Sequence, residues 1–352
     1  MKILGIETSC DETAVGIVED GHKLLSTVIS SSMDLQALYG GVVPEVAARS
    51  HIEVINKFIQ EALDEAKCTW DDIDAMAVTY GAGLSGSLLI GVMAARTIAI
   101  AKKKPLYAVN HILAHIYVNF LTDTALTDYL MPKEQPKYPM LAVVVSGGHS
   151  QLMIFRDHFD YELLGRTQDD AIGEAFDKVA KILGLPYPGG PSVSKAAKDG
   201  DPYKVKLPIA KVGAYDFSFS GLKTAVLRHS QAAIGKDYTF PSFKLAEQLN
   251  NSQKADIAAS FQYTACQTIV KKAKNAFNEY HPNSVVVAGG VAANSELRKQ
   301  LKNTLDIPLA FPDLKLCTDN GAMVATLGCF MHKLGRQQTD PYRLAIEPNL
   351  TV

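Results

Sequence analysis

Apolar residues in this chain come in short blocks, each closed by small polar residues or glycine. KILGIETSCDETAVGIVED, residues 2 to 20, reads as an apolar strand, a turn and a second, alternating strand, which predicts a β-hairpin. MLAVVVSGGHSQLMIFRD, residues 140 to 157, repeats that plan after the polar, proline-bearing stretch MPKEQPKYP. The two copies predict two domains, each opened by a hairpin.

Between and beyond the hairpins the apolar spacing changes to a helical period. VPEVAARSHIEVINKFIQEALDEA places Val46, Ile52, Ile55, Ile59 and Leu63 on one face opposite a charged one. DDIDAMAVTYGAGLSGSLLIGVMAARTIAIAKKK predicts strand, glycine-rich turn and a helix apolar nearly all round, buried by its own domain or by a partner. The second half adds helices at DDAIGEAFDKVAKILGL, at DIAASFQYTACQTIVKKAKNAFNEY and at NGAMVATLGCFMHKLG, with strand, turn and helix at NSVVVAGGVAANSELRKQL. The alternation predicts an α/β fold of two lobes with a central cleft.

With 352 residues, 47% of them hydrophobic and 20% charged, the chain is long enough for two cores. Lysine and arginine number 35 against 37 acidic residues, so polyanion binding needs a local patch or a partner. Five scattered cysteines without a C-x-x-C pair point to a reducing compartment and against a thiolate metal site. The apolar run from Ser87 to Ala101 carries Arg96 and is shorter than the roughly 20 residues of a membrane span. The expected location is the cytoplasm, with no membrane partner.

Three small-residue turns follow apolar strands: ETSCDET (7 to 13), SGGHS (146 to 150) and AGGVAAN (288 to 294). Their glycines would let backbone N–H groups approach phosphate, and the hydroxyls of Thr8, Ser9, Ser146 and Ser150 are candidate donors. Neither G-x-x-x-x-G-K-[ST] nor a supported G-x-G-x-x-G is present, so a P-loop or Rossmann site is not expected. The paired hairpins resemble instead the actin, Hsp70 and sugar-kinase superfamily (ASKHA) at the level of fold, which leaves function open.

NHILAHIYVNF sets His111 and His115 four apart, on one face of a helix. Ile112 occupies the place of the glutamate in H-E-x-x-H, so a metalloprotease would lack its base. Asp319, in LCTDNGAM, is the candidate third ligand, with N-cap of the following helix as its alternative role. His149 is a further candidate. Asp11 and Glu12 sit at the tip of the first hairpin, where adjacent carboxylates are usually solvated but, beside a phosphate turn, could mark a reaction centre. Asp177 could take a sugar hydroxyl or be a surface ion-pair residue, and Asn294 could bind ligand or cap a helix.

IETSCDETAVGIV, GGVVPEVAARSH, GLSGSLLIGVMAA, NHILAHIY, VVSGGHSQL, DDAIGEAFDKVAKILGLPYPGGP, FSFSGLKTA, VVVAGGVAAN and CTDNGAM, in this order, resemble the bacterial TsaD family of tRNA N6-adenosine threonylcarbamoyltransferases. The resemblance implies an actin-like fold and transfer of a threonylcarbamoyl group from threonylcarbamoyl-AMP to N6 of adenosine 37, in tRNAs reading codons that begin with adenine. It implies a divalent metal, Fe2+ or Zn2+, held by His111, His115 and Asp319, and a bound adenine nucleotide. The implied ligand-binding set is Val144, Val145, Ser146, Gly147, Gly148, Asp177, Gly190 and Asn294, with Asp11 and Glu12 at the reaction centre. Implied partners are tRNA, a smaller TsaB-like paralogue and a TsaE-like ATPase, with helices 45 to 66 and 87 to 101 as the expected paralogue-facing surface. An acidic residue often found four places after the second glycine of the family's PGGP loop is Ser194 here. The expected organisation is a first lobe at 1–135, a second at 136–319 with a ligand-binding insertion at about 165–245, and a C-terminal helix at 320–352 returning to the first. The competing reading is a non-catalytic actin-like nucleotide-binding module, which would need no protein-held metal.

Overall fold

The computed structural model describes all 352 residues. They pack as two compact units, Met1–Pro136 with Ala310–Val352, and Lys137–Leu309. Residues 310 to 319, placed above in the second lobe, therefore pack in the first unit.

The first unit is built on β1 (Lys2–Glu7), β2 (Glu12–Glu19), β3 (Lys23–Ser31), α1 (Met33–Ala37), α2 (Pro44–Glu65), β4 (Ala75–Gly81), α3 (Ser85–Lys102), β5 (Leu106–Asn110), α4 (His111–Tyr117) and β6 (Asp123–Thr124). Its sheet runs β5-β4-β1-β2-β3-β6. The second unit holds β7 (Met140–Val145), β8 (Ser150–Asp157), β9 (Asp160–Arg166), α5 (Ile172–Leu183), α6 (Gly189–Ala196), α7 (Ser220–Ala233), α8 (Leu245–Gln248), α9 (Asn251–Tyr280), β10 (Ser284–Ala288), α10 (Ser295–Thr304) and β11 (Leu309–Ala310). Its sheet runs β11-β10-β7-β8-β9. The final helix, α11 (Gly321–Lys333), belongs to the first unit.

The duplication legible in the hydrophobic pattern is present in strand pairing. β1 and β2 are antiparallel from Lys2↔Glu19 to Glu7↔Ala14, and β7 and β8 from Met140↔Phe155 to Val145↔Ser150. A parallel strand joins each first strand on its other edge, β4 beside β1 and β10 beside β7. Strands flanked on both sides read as continuous apolar runs, and Met140 to Val145 are all buried.

Two details of the helices depart from the expected faces. Ile52 is 58% exposed, because α2 buries Ala47, His51, Ile55, Phe58, Ile59, Ala62 and Leu63 instead. His51 can occupy that line because Thr13 Oγ1 meets its Nδ1 at 2.7 Å and the Cys10 carbonyl meets its Nε2 at 3.1 Å. α3 is long and apolar enough to cross a membrane by composition, with mean hydropathy 1.3. One side is nevertheless built into the unit: Thr8 Oγ1 donates to the Ser87 carbonyl, and Arg96 donates to the carbonyls of Pro341, Leu344 and Tyr342. Leu89, Met93 and Ile100 remain exposed on the other side.

α11 lies directly on β1 and β2 because Gly5 and Gly16, paired across the two strands, have no side chains to hold it off. A Cβ on Gly16 would stand 2.6 Å from the Ala322 nitrogen, and one on Gly5 would stand 2.5 Å from the Gly321 carbonyl oxygen. Gly16→Ala is expected to destabilise the protein by about 3 kcal/mol, since backbone cannot yield as a side chain can. Gly221→Ala, where nothing lies within 4 Å, is the control; equal melting temperatures for the two variants would refute the close-packing account. The same packing fixes the start of α11, and so the position of Asp319.

Candidate metal centre and ligand turns

α4 begins where β5 ends. Asn110 caps it, its Oδ1 accepting from Ile112 N at 2.8 Å and Leu113 N at 3.2 Å. All seven residues of the helix are buried, so the histidine pair lies inside the protein. The rings of His111 and His115 are 4.7 Å apart, edge to face. Asn320, rather than Asp319, caps α11: its Oδ1 accepts from Met323 N, and its Nδ2 donates to the carbonyls of Leu316 and Thr318. That leaves Asp319 to face the histidines, with Oδ1 3.0 Å from His115 Nε2 and 3.6 Å from His111 Nε2. One donor atom from each residue falls within 4.8 Å of the others.

His115 is 1% exposed, yet neither ring nitrogen has a hydrogen bond; Nε2 is near Asp319 in distance but off the line a hydrogen bond needs. Leaving a buried donor or acceptor unsatisfied costs about 1–3 kcal/mol. A cation accepting the Nε2 lone pair would remove that penalty, so the donor set fits a metal ion: two imidazoles and one carboxylate suit Fe2+ or Zn2+.

Around this triad the negative charge is dense. Glu7 is fully buried; its Oε1 accepts from Ser9 N at 2.5 Å, Oε2 from Thr79 Oγ1 at 2.5 Å, and Oε2 stands 3.4 Å from His111 Nδ1. Burial pulls the His111 imidazole down, but Asp319 and Glu7 outweigh it and raise it to about 9. Burial, together with Asp319 and Asp11, holds Glu12 well above the usual carboxylate range, and Asp11 is its hydrogen-bond partner. Asp11 also accepts from Ser31 Oγ at 3.4 Å. The reaction-centre candidates thus form a hydrogen-bonded carboxyl pair near Asp319.

The second unit presents its own cluster. Val144 and Val145 are buried at the end of β7, whereas Gly147 and Gly148 have open space where side chains would stand. The Asp177 carboxylate Oδ1 accepts from Gly189 N, at the start of α6, at 2.7 Å. Burial raises its pKa, against the Gly189 N–H that lowers it. Asp177 is therefore half-buried against the start of α6 and is no surface ion-pair residue. Gly190, next in α6, has nothing within 4 Å of a would-be Cβ. Asn294 is both a cap and a link: Oδ1 accepts from Leu297 N, and Nδ2 donates to Ser194 Oγ at 3.2 Å and Gln262 Oε1 at 3.0 Å. His149 lies on the SGG turn, its N–H donating to Ser146 Oγ.

All four hydroxyls expected to face phosphate have partners within the protein. Thr8 binds the Ser87 carbonyl, Ser146 Oγ accepts from His149 N, and Ser150 Oγ accepts from Ile172 N. Ser9 Oγ lies 3.1 Å from His111 Nδ1. Strand-end turns must satisfy their own buried backbone first, so their hydroxyls are drawn inward.

Residues 23–326 match the family model for tRNA N6-adenosine threonylcarbamoyltransferase, TsaD. A protein of that name from Caldicellulosiruptor bescii is 47% identical over 350 residues, covering 97% of this chain and 98% of its own. Another, from Symbiobacterium thermophilum, is 48% identical over 337 residues, covering 95% and 92%. The chain belongs to the tRNA N6-adenosine threonylcarbamoyltransferase family. Among solved structures, HypF of T. kodakarensis aligns with a TM-score of 0.56 at 14% identity, over 96% of this chain and 48% of HypF. Component A of Acidaminococcus fermentans (R)-2-hydroxyglutaryl-CoA dehydratase aligns at 0.50 and 16%, over 95% and 99%. At these identities the likeness shows the ASKHA-type fold alone.

Within this threonylcarbamoyltransferase the sequence reading missed Glu7. Its only signal was a lone carboxylate closing the apolar strand KILGIE. A carboxylate beside Nδ1 keeps the proton there and leaves Nε2 as the ligand atom. Glu7→Gln is expected to weaken metal binding about 10- to 100-fold, read by competition with a chelator. Unchanged affinity would show that Glu7 only fills the end of the sheet. Ser194 donates to Gln262 Oε1 at 2.7 Å and so joins α6 to α9.

Proposed function

We propose that this chain transfers the threonylcarbamoyl group of threonylcarbamoyl-AMP to N6 of adenosine 37 in tRNAs that read codons beginning with adenine. The observation that carries this reading is the His111, His115 and Asp319 triad, with an orphaned buried imidazole, beside a carboxyl pair, in a member of the transferase family. A non-catalytic nucleotide-binding module would have no use for such a triad.

In the reaction N6 forms a bond to the carbamoyl carbon, the bond from that carbon to the phosphate oxygen breaks, AMP leaves, and N6 loses a proton. A divalent cation, Fe2+ or Zn2+, on His111, His115 and Asp319 would supply Lewis acidity for the anhydride oxygens. The carboxyl pair, Asp11 or Glu12, would accept the N6 proton or position the amine. In the second unit the Gly147 and Gly148 amides are offered to phosphate and Asp177 Oδ2 to a ribose hydroxyl, while Gly190 lets the nucleoside approach the backbone. Asn294 would meet the ligand by exchanging Ser194 or Gln262 for it.

The expected partners are tRNA, a TsaB-like paralogue and a TsaE-like ATPase, acting together in the cytoplasm. The exposed stripe of Leu89, Met93 and Ile100 on α3, with Ile52 on α2, is the surface we assign to the paralogue. The test is reconstitution: chain, partners, threonylcarbamoyl-AMP and unmodified tRNA, followed by nucleoside mass spectrometry. Appearance of the threonylcarbamoyl nucleoside is expected, and its absence with all components intact overturns the proposal.

A further inference from the structure

Between α7 and α9 the chain runs as a solvent-exposed segment, GKDYTFPSFK, residues 235 to 244. Tyr238 and Phe243 are 71% and 74% exposed there. Each has a cation against its face: Arg228 lies 5.7 Å from the Tyr238 ring centre and Lys244 lies 6.0 Å from that of Phe243, while Lys236 is 5.9 Å from Phe240. From Ala225 to Ala246 the only carboxylate is Asp237, and it is occupied by Thr239 N and Oγ1. Burial lowers the imidazole of His229, which follows Arg228 on α7.

The segment is braced rather than loose. Gln231, 2% exposed, donates through Nε2 to the carbonyls of Tyr238 at 3.3 Å and Phe240 at 2.8 Å. Arg228 Nη1 donates to the Tyr238 carbonyl at 3.1 Å, and Leu245 and Leu249 are buried just beyond. α8 packs against the end of α5, where a Cβ on Gly184 would stand 2.5 Å from Ala246 Cβ; α5 is also the helix that carries Asp177. Exposed rings with cations beside them, on a braced segment, are what a single-stranded nucleic acid needs: bases stack on the rings while the cations meet phosphates. A protein partner fits less well, because lysine is depleted at the centre of protein interfaces.

We propose that Tyr238 and Phe243, with Arg228, Lys236 and Lys244, form a stacking platform for unpaired nucleotides of the tRNA near the target adenosine. This rests on the transferase reading above, and it locates a surface for the RNA within the second unit.

The test uses the assembled enzyme with its partners and two readouts, direct binding of unmodified tRNA and initial rates. Tyr238→Ala with Phe243→Ala is expected to weaken tRNA binding and raise its KM about tenfold or more, with KM for threonylcarbamoyl-AMP unchanged. Tyr238→Phe with Phe243→Tyr keeps both rings and should bind as the unaltered enzyme does. Replacing Arg228, Lys236 and Lys244 by glutamine should reduce the slope of log affinity against log salt by about 0.7 for each phosphate that is no longer neutralised. Unchanged tRNA binding in the alanine variant overturns the proposal, as does loss of paralogue assembly with tRNA binding intact, which would make the segment a protein-docking site. Because binding is read without turnover, failure of the platform is distinguishable from failure of the transferase reading: an inactive enzyme that binds tRNA through these rings sinks only the latter.

Discussion

Replacing His111 and His115 together with alanine should remove the bound metal and reduce threonylcarbamoyl transfer by about a thousandfold or more, the several kcal/mol that a Lewis acid contributes. Elemental analysis of the purified complex reads the first effect and nucleoside mass spectrometry the second. Both histidines are buried, so the double variant also opens a cavity. Asp319→Asn, at a side chain that retains 16% exposure, separates chemistry from folding because it keeps the shape and weakens the ligand. The metal must also displace a proton from His111, whose pKa is raised to about 9. Metal affinity should therefore climb with pH up to that value, by about tenfold per unit, because only the neutral imidazole is a ligand. Full activity in the double variant, or in protein stripped by chelator, would remove the metal from the account.

Glu12→Gln should lower kcat by about a hundred- to ten-thousandfold while leaving the donor bound, the size expected when one member of a positioned acid–base pair is lost. The same substitution should stabilise the chelated protein. Glu12 is held well above its ordinary value of 4.5 by burial, Asp319 and Asp11, so the folded chain keeps a proton that the unfolded chain releases. Stability associated with this group is present below pH 4.5 and is lost as pH rises through the folded value. Glutamine cannot ionise and escapes that loss, so its melting temperature above neutral pH should exceed that of the unaltered protein. A lower melting temperature together with undiminished kcat would mean that Glu12 serves the fold and that the proton goes elsewhere, with Asp11→Asn the next variant to examine.

These two predictions depend on residues that differ in how far the sequence exposes them. His111 and His115 are four apart in one helix, so a periodicity of 3.6 places them together without further information. Asp319 is more than two hundred residues away, and its neighbour Asn320 is an equally good cap by type; only the cap geometry shows which of the two is occupied. Glu7 was hidden because a carboxylate at a strand end normally faces water. Here Ser9, Thr79 and His111 converge on it from a turn and from two elements that follow β1 in space but not in sequence. Asp177 read as a surface charge on a polar stripe until the start of α6 was found against it.

By itself the sequence determined the elements, their duplication and the family, because these depend on local periodicity, on turn residues and on long ordered runs of identity. Alternation predicts a hairpin wherever it occurs, and two similar hairpins predict two similar sheets. The tertiary structure decided what the polar residues do. A hydroxyl, amide or carboxyl forms its hydrogen bonds with whatever partner packing supplies, and those partners are distant in sequence. Thus Thr8 is tied to α3 rather than offered to phosphate, Asn294 bridges α6, α9 and α10, and His115 is left with two unsatisfied nitrogens beside Asp319. Burial makes such assignments consequential, since each polar group removed from water must find a partner or wait for a ligand.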